Sequence, residues 1–227
     1  MDTKIEELLA CTIARLIGDA KHVAVGAASP IPATGVFLKK ISSPGLRISL
    51  LQKRTGNPFT EGSRELFDLA GQGRIDVFFL GGAQIDGQAN INLVGAEGRR
   101  FPGSFGSAFM YQAVRNVILF REEHSRRVLV PKVEFVSAAG SPSALLTAKA
   151  LFSWDRARRR FRLVSFHATS SLEDIRANTG FEFDVDPAVA VTPQPAAQDL
   201  ELLRTTVKEV VARDYPDFAR RVWGGPP

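Results

Sequence analysis

With one cysteine in 227 residues, the chain cannot form an intramolecular disulfide. That absence fits a reducing compartment. No apolar run approaches the roughly 20 residues that a membrane-spanning helix needs, so no membrane association is expected. The first residues, MDTKIEELLACTIARL, carry acids and a helical period instead of the uninterrupted apolar core of a secretory signal. A cytoplasmic location is expected. The three histidines, His22, His124 and His167, are isolated in sequence, and no pair has metal-ligand spacing, so no metal is assigned. There is no serine nucleophile elbow and no phosphate-binding P-loop. Cys11 falls inside a helical period, where a packed thiol is the simpler reading.

Acid is in mild deficit. The formal net charge is +5 and the pI about 9.7. Much of the excess is local, in Arg156, Arg158, Arg159, Arg160 and Arg162, which decorate a hairpin tip. Basic balance alone suits nucleic acid, a nucleotide-like anion, or plain solubility. No helix-turn-helix, zinc-finger or aromatic RNA-binding signature accompanies the charge, so no nucleic-acid partner is expected. Hydrophobic residues make up 44% and charged residues 23%, ordinary for a globular protein with one substantial core or two small ones.

The order of elements is readable from periodicity. Ile5 to Ile17 repeats apolar residues every 3.6 positions, with Thr3 and Glu6 as an N-terminal capping box and Gly18 as the stop. His22 to Val25 reads as a strand, 31–40 as a helix with Pro32 in its first turn, and 46–51 as a second strand. A short helix opens at Thr60 or Ser63. A central strand follows over 74–80, then a brief strand over 90–94, a helix over 105–114, and strands over 116–121 and 133–136. Beyond Gly140 the pattern changes. Residues 148–154 and 160–167 flank an Asp-Arg-Ala-Arg turn, as in a β-hairpin. In the second of these, Phe161, Leu163 and Ser165 share one face. Ser171 and Asp174 start a short helix, 181–185 reads as a strand, and Asp199 caps an amphipathic helix over 200–211. Residues 222–227 are expected to fray. Strands alternating with helices predict an α/β fold. The expected architecture is a mostly parallel open sheet with flanking helices, in one domain over 1–227. A C-terminal β-hairpin and helix, from about residue 145, would pack on it.

One stretch stands out, from Ile75 to Gly106. The apolar run Val77 to Leu80 ends in Gly81-Gly82-Ala83, and a polar loop with Asp86, Asn90 and Asn92 leads to a second glycine turn, Gly103-Ser104-Phe105-Gly106. A strand feeding a glycine turn exposes peptide N–H groups to a ligand, because nothing at Cβ keeps the ligand away. The segments Gly81-Gly82-Ala83-Gln84-Ile85-Asp86, Asn90-Ile91-Asn92 and Arg100-Phe101-Pro102-Gly103-Ser104 resemble the β subunit of family I CoA-transferases of the glutaconate type. Ala89 and Phe105 stand where that pattern usually has glycine. The likeness extends more weakly from about Lys4 through Gly140.

The resemblance implies a subunit of a heteromeric enzyme acting on an acyl-CoA thioester. The partner would be a homologous α-type subunit, in a heterodimer or heterotetramer. Coenzyme A would enter as a substrate ester, with no permanently bound cofactor. It implies the Gly82 N–H as an oxyanion donor, a role typically worth about 3 kcal/mol in acyl chemistry. It also implies that Gly81, Ala83, Gln84, Asn90, Gly103, Ser104 and Gly106 line the acyl or CoA pocket. Arg99-Arg100 or Arg126-Arg127 would suit its phosphates, although a solvated face is the simpler role for each pair. The family's transferases place a nucleophilic glutamate at the end of the strand read here over 46–51. This chain has Leu50-Leu51-Gln52-Lys53, and neither Leu51 nor Gln52 is a competent nucleophile. Hydrolysis, C–C cleavage or decarboxylation is therefore expected over CoA transfer. A transferase whose partner supplies the nucleophile, and a non-catalytic scaffold subunit, remain the alternatives.

Overall fold

The structure, a computed structural model, describes residues 2–51, 53, 59 and 61–224. The chain gathers into two compact units. One holds residues 1–60, 75–77 and 193–227, the other residues 61–74 and 78–192.

The first unit begins with helix α1 (Ile5–Ile17), whose apolar face buries Leu8, Leu9, Ile13 and Ile17. Its start differs from the expectation. Lys4, not Thr3, is the N-cap, and Glu7, not Glu6, reaches back to the Lys4 N–H at 3.0 Å. Glu6 instead meets Arg221 at 2.8 Å. Gly18 ends the helix, as expected. Strand β1 (His22–Val25) pairs in parallel with β2 (Arg47–Leu50) across helix α2 (Pro30–Ser42), with His22 opposite Arg47 and Val25 opposite Leu50. All four residues of β1 are buried.

The second unit runs through helix α3 (Ser63–Gly71), strand β3 (Val77–Leu80) from Phe78 on, strands β4 (Gln84–Asp86), β5 (Ile91–Asn92), β6 (Gly95–Ala96) and β7 (Arg99–Arg100), and helix α4 (Ser107–Ala113). It continues through β8 (Asn116–Arg121), β9 (Leu129–Val130), β10 (Ala144–Thr147), β11 (Ala150–Asp155), β12 (Arg160–Phe166), helix α5 (Leu172–Asn178) and β13 (Asp184–Val191). Its main sheet is ordered β13-β12-β11-β10-β8-β3. The pairs β8/β10 and β12/β13 are parallel, and β10/β11 and β11/β12 antiparallel. A small sheet, β5-β4-β9, carries the polar loop after the first glycine turn. The α/β class and the hairpin of β11 and β12 agree with the periodicity. Phe161, Leu163 and Ser165 are all buried, as their alternation requires.

Two expectations fail here, and one strand is unexpected. Residues 133–136 form no strand; Val133 is buried while Glu134, Phe135 and Val136 are exposed, and the Glu134 carboxylate accepts from Gln84 Nε2. Strand β10 has no counterpart in the sequence reading, because ALLT is a short apolar run with no alternation to mark it. The strand expected over 181–185 is shifted to Asp184–Val191. Phe181 and Phe183 instead join an aromatic cluster, their ring centroids 5.5 Å from Phe161 and 5.2 Å from Phe152.

The chain then returns to the first unit as helices α6 (Ala197–Leu202), α7 (Lys208–Asp214) and α8 (Pro216–Trp223). Ala196, not Asp199, precedes the first turn. A π-helical segment, Leu203–Val207, joins α6 to α7 and keeps Leu203, Val207 and Val211 buried. Helix α8 starts at Pro216 and buries Phe218, Ala219 and Val222. Val222 and Trp223, expected to fray, are thus part of a helix.

Candidate functional site

The end of β3 delivers Gly81 and Gly82 into a turn that is closed from below by β4 and β5. Gly82 is buried. A Cβ built on it would lie 2.9 Å from the Gln84 carbonyl oxygen and 3.2 Å from Ile91 Cβ, so the position has room only for glycine. The next peptide is anchored: the Ala83 N–H donates to Asn92 O at 2.8 Å. The Gly82 N–H makes no hydrogen bond among the described residues. A Cβ on Gly81 would sit 3.1 Å from the Phe120 carbonyl oxygen, at the end of β8. The next residue, Arg121, is half-buried; its Nε is shielded from solvent and lacks a hydrogen-bond partner among the described residues.

The polar side chains of the motif are gathered beneath this turn, and they bond to one another and to the backbone. Asn92 Nδ2 donates to Gln84 Oε1 at 2.9 Å and to Gly95 O at 2.7 Å. Gln84 Nε2 donates to Glu134 Oε1 at 2.8 Å, and the Glu134 N–H returns to Gln84 Oε1 at 3.0 Å. Asp86 accepts from the backbone of Gln88 and Asn90, each at 3.0 Å, and from Asn90 Nδ2 at 3.1 Å. Buried amides and carboxylates without partners are costly, so such a network fixes the loop rigidly. Gln84 and Asn90, expected to line a ligand pocket, thus spend these groups on the scaffold. Glu134, which closes the network, is hidden in a segment that reads as a strand. Tyr111 supports the loop from another side, donating to Ala89 O at 2.9 Å, and Ala89 itself has φ +62°.

The second glycine turn sits at the start of α4. Gly103 has φ +100°, and Ser104 O accepts from the Ser107 N–H at 2.8 Å. A Cβ on Gly106 would fall 2.0 Å from Phe67 Cζ, so α3 and α4 meet through a ring laid on a glycine. Phe105 has φ +45° and is 81% exposed, at a position where the resembled pattern has glycine. Its ring lies 6.0 Å from Phe67, and Phe109 lies 5.5 Å from Phe67. No hydrogen bond among the described residues joins the two glycine turns.

Leu51 is half-buried just past β2, its N–H donating to Val25 O at 2.9 Å. Gln52 lies outside the described residues. No group of histidine, cysteine, aspartate or glutamate suited to a metal ion occurs among the described residues. No described helix is long and apolar enough to cross a membrane. The arginines of the hairpin tip are partly neutralised, Arg158 and Arg160 by Asp184 and Arg162 by Asp155, at 3.3–3.5 Å. Cys11 is buried, and burial pushes its thiol up to about 12, so it is not a nucleophile near neutral pH.

Known proteins are similar to this chain in sequence and in geometry. The chain is 29% identical over 154 residues to the B-type subunit of the glutaconate CoA-transferase of Acidaminococcus fermentans, covering 58% of this chain and 56% of that one. It is 28% identical over 153 residues to the B-type subunit of the 3-oxoadipate CoA-transferase of Pseudomonas knackmussii, 58% of each. The matched stretch thus spans a little over half the length of these curated relatives. Among solved structures, the decarboxylase AibA/AibB superposes with a TM-score of 0.83 at 26% identity, over 99% of this chain and 100% of that one. The sequence pattern of the coenzyme A transferases matches residues 3–162, which include β3, both glycine turns and the hydrogen-bonded polar loop, and the chain belongs to the coenzyme A transferase family.

Proposed function

We propose that this chain is the β-type subunit of a two-chain enzyme acting on an acyl-CoA thioester, with a homologous α-type chain as its partner. The observation that carries the reading is the Gly82 N–H. It has no hydrogen-bond partner among the described residues, and it is held in a turn that admits no side chain beside the hydrogen-bonded network of Gln84, Asn92 and Glu134. A fixed N–H of this kind stabilises the negative charge that develops on a thioester oxygen under attack. Two relatives named as one subunit of a transferase, and a neighbour named as a pair of chains, support a heteromer.

Residues 50–53 read Leu-Leu-Gln-Lys, so this segment contributes no carboxylate nucleophile. The reaction proposed is therefore hydrolysis, C–C cleavage or decarboxylation, not CoA transfer. Gly81, Ala83, Gly103, Ser104 and Gly106 would shape the pocket by backbone, while Gln84 and Asn90 would hold its floor. Arg121 would face a carboxylate or phosphate of the substrate.

The test is co-purification from the native host, identification of the associated chain by mass, and assay of the complex against a panel of acyl-CoA esters. Turnover without a carboxylic acid to accept CoA, together with a raised KM in Arg121→Gln, is the expected result. Strict dependence on an acceptor acid restores the transferase reading. A complex that binds no acyl-CoA removes the proposal.

A further inference from the structure

Within the first unit, α2, β2 and the C-terminal helices line a half-open cavity of about 520 Å³. That lies within the range of small-molecule sites, roughly 300–1,000 Å³. Phe37, Ile41, Leu46 and Ile48 form one wall, and Val207 and Val210 the other. Leu46 and Val207 are buried, while Ile41 is 40% exposed at the mouth.

Two features set it apart from an ordinary apolar dent. The first is its charge. Among the described residues, Lys40 and Arg47 are the only charged ones lining it, and no carboxylate does. Lys40 Nζ is held by the carbonyl oxygens of Pro44 at 2.5 Å and Leu46 at 2.6 Å, which fix its position without neutralising it. Arg47 is exposed and forms no ion pair among the described residues. The second is the π segment Leu203–Val207, which supplies Val207 and Thr206 to the lining. A π turn is rare and is found disproportionately at functional sites. Ser49 adds a hydroxyl to the lining, held at 2.8 Å by His22 Nε2.

We propose that this cavity binds an aliphatic monocarboxylate. Its chain would lie between Phe37, Ile48 and Val210, and its carboxylate would meet Arg47 and the fixed Lys40. The complementarity is simple: an apolar slot lined by two cations that form no ion pair among the described residues. The inference does not rest on the proposed function, since none of these residues belongs to the glycine-turn site.

The test is calorimetric titration of the full-length protein with octanoate, and with octanol as the uncharged control. Octanoate is expected to bind and octanol to bind at least tenfold more weakly. Arg47→Gln should weaken octanoate about fivefold to tenfold while leaving octanol unchanged, the scale of one charge-assisted contact. Val210→Trp, which fills the slot, should abolish octanoate binding while the thermal unfolding transition persists. Equal affinity for octanoate and octanol would overturn the proposal, as would octanoate binding that survives Val210→Trp. Absence of octanoate binding in the unmodified protein would overturn it too. A cavity found covered by a co-purified polypeptide, released only by denaturant, would overturn it in favour of a protein partner.

Discussion

Glu7 and Arg204, 197 positions apart, form a two-pronged ion pair: Nε to Oε1 and Nη2 to Oε2, both at 2.7 Å. The Glu7 carboxylate is fully buried in α1, and Arg204 comes from the π segment. The Trp223 indole N–H adds a third contact at 3.2 Å. The pair therefore ties the start of the chain to its end.

Removing one member should be worse than removing both. Arg204→Ala leaves a buried carboxylate uncompensated and should cost about 3–5 kcal/mol. Replacing both residues together by apolar side chains of similar size, Glu7→Leu with Arg204→Met, should cost much less. Urea unfolding of the single and double variants checks this; equal losses would mean the pair is not desolvated.

Acid should act on the protein in two stages. His124 Nδ1 lies 2.7 Å from Thr147 Oγ1 and Nε2 lies 3.0 Å from Thr179 Oγ1, so both ring nitrogens are engaged. His167 Nε2–H donates to the Thr147 carbonyl at 2.9 Å, which leaves Nδ1 to accept from Thr192 Oγ1 at 3.0 Å. Burial lowers His124 from 6.5 to about 4, and burial lowers His167 as well. A base whose folded pKa is depressed binds its proton more readily when unfolded. Stability from His124 is thus complete above about pH 6.5 and is lost as pH falls toward 4, by at most about 3 kcal/mol. Burial alone would raise Glu7, but its bonds to Arg204, the Lys4 N–H and Trp223 outweigh that and lower it. Its contribution is therefore present above the usual glutamate pKa and is lost below it. Urea midpoints measured from pH 8 to 4 should fall between 6.5 and 4, and His124→Asn should flatten that limb.

Gln84→Glu converts a hydrogen bond into two facing carboxylates, because Gln84 Nε2 lies 2.8 Å from Glu134 Oε1. The variant should lose about 2–3 kcal/mol at pH 8. The deficit should shrink below about pH 5, where one carboxyl takes a proton. A melting temperature series with pH decides it. A deficit independent of pH would mean the two side chains do not face each other in solution.

Gly106→Ala should push the Phe67 ring off its seat, since the added Cβ would fall 2.0 Å from Cζ. Overpacking of this kind costs about 1–3 kcal/mol. Phe67→Leu in the same chain should recover part of the loss, a coupling of about 0.5–3 kcal/mol in a double-mutant cycle. Additive effects would show that the ring and the glycine do not touch.

Much of this is legible in the chain itself. The 3.6-residue period of Ile5–Ile17 and the alternation of Phe161, Leu163 and Ser165 are local consequences of burying one face, so they show along the sequence. The two glycine turns are visible too, as is the want of a carboxylate over residues 50–53. What the sequence leaves open depends on partners far away in the chain. Glu134 sits in an apolar-looking segment, and only the meeting of that segment with Gln84 makes it the closing member of a polar network. The expected strand over 181–185 loses to aromatic packing on Phe152 and Phe161. Glu7 reads as one acid of a helix start, yet it is the buried half of an ion pair because Arg204 returns to it. Local periodicity decided which residues face inward. Only the tertiary structure decided what each of them meets there, because hydrogen bonds and close packing select partners by distance in space and not by spacing along the chain.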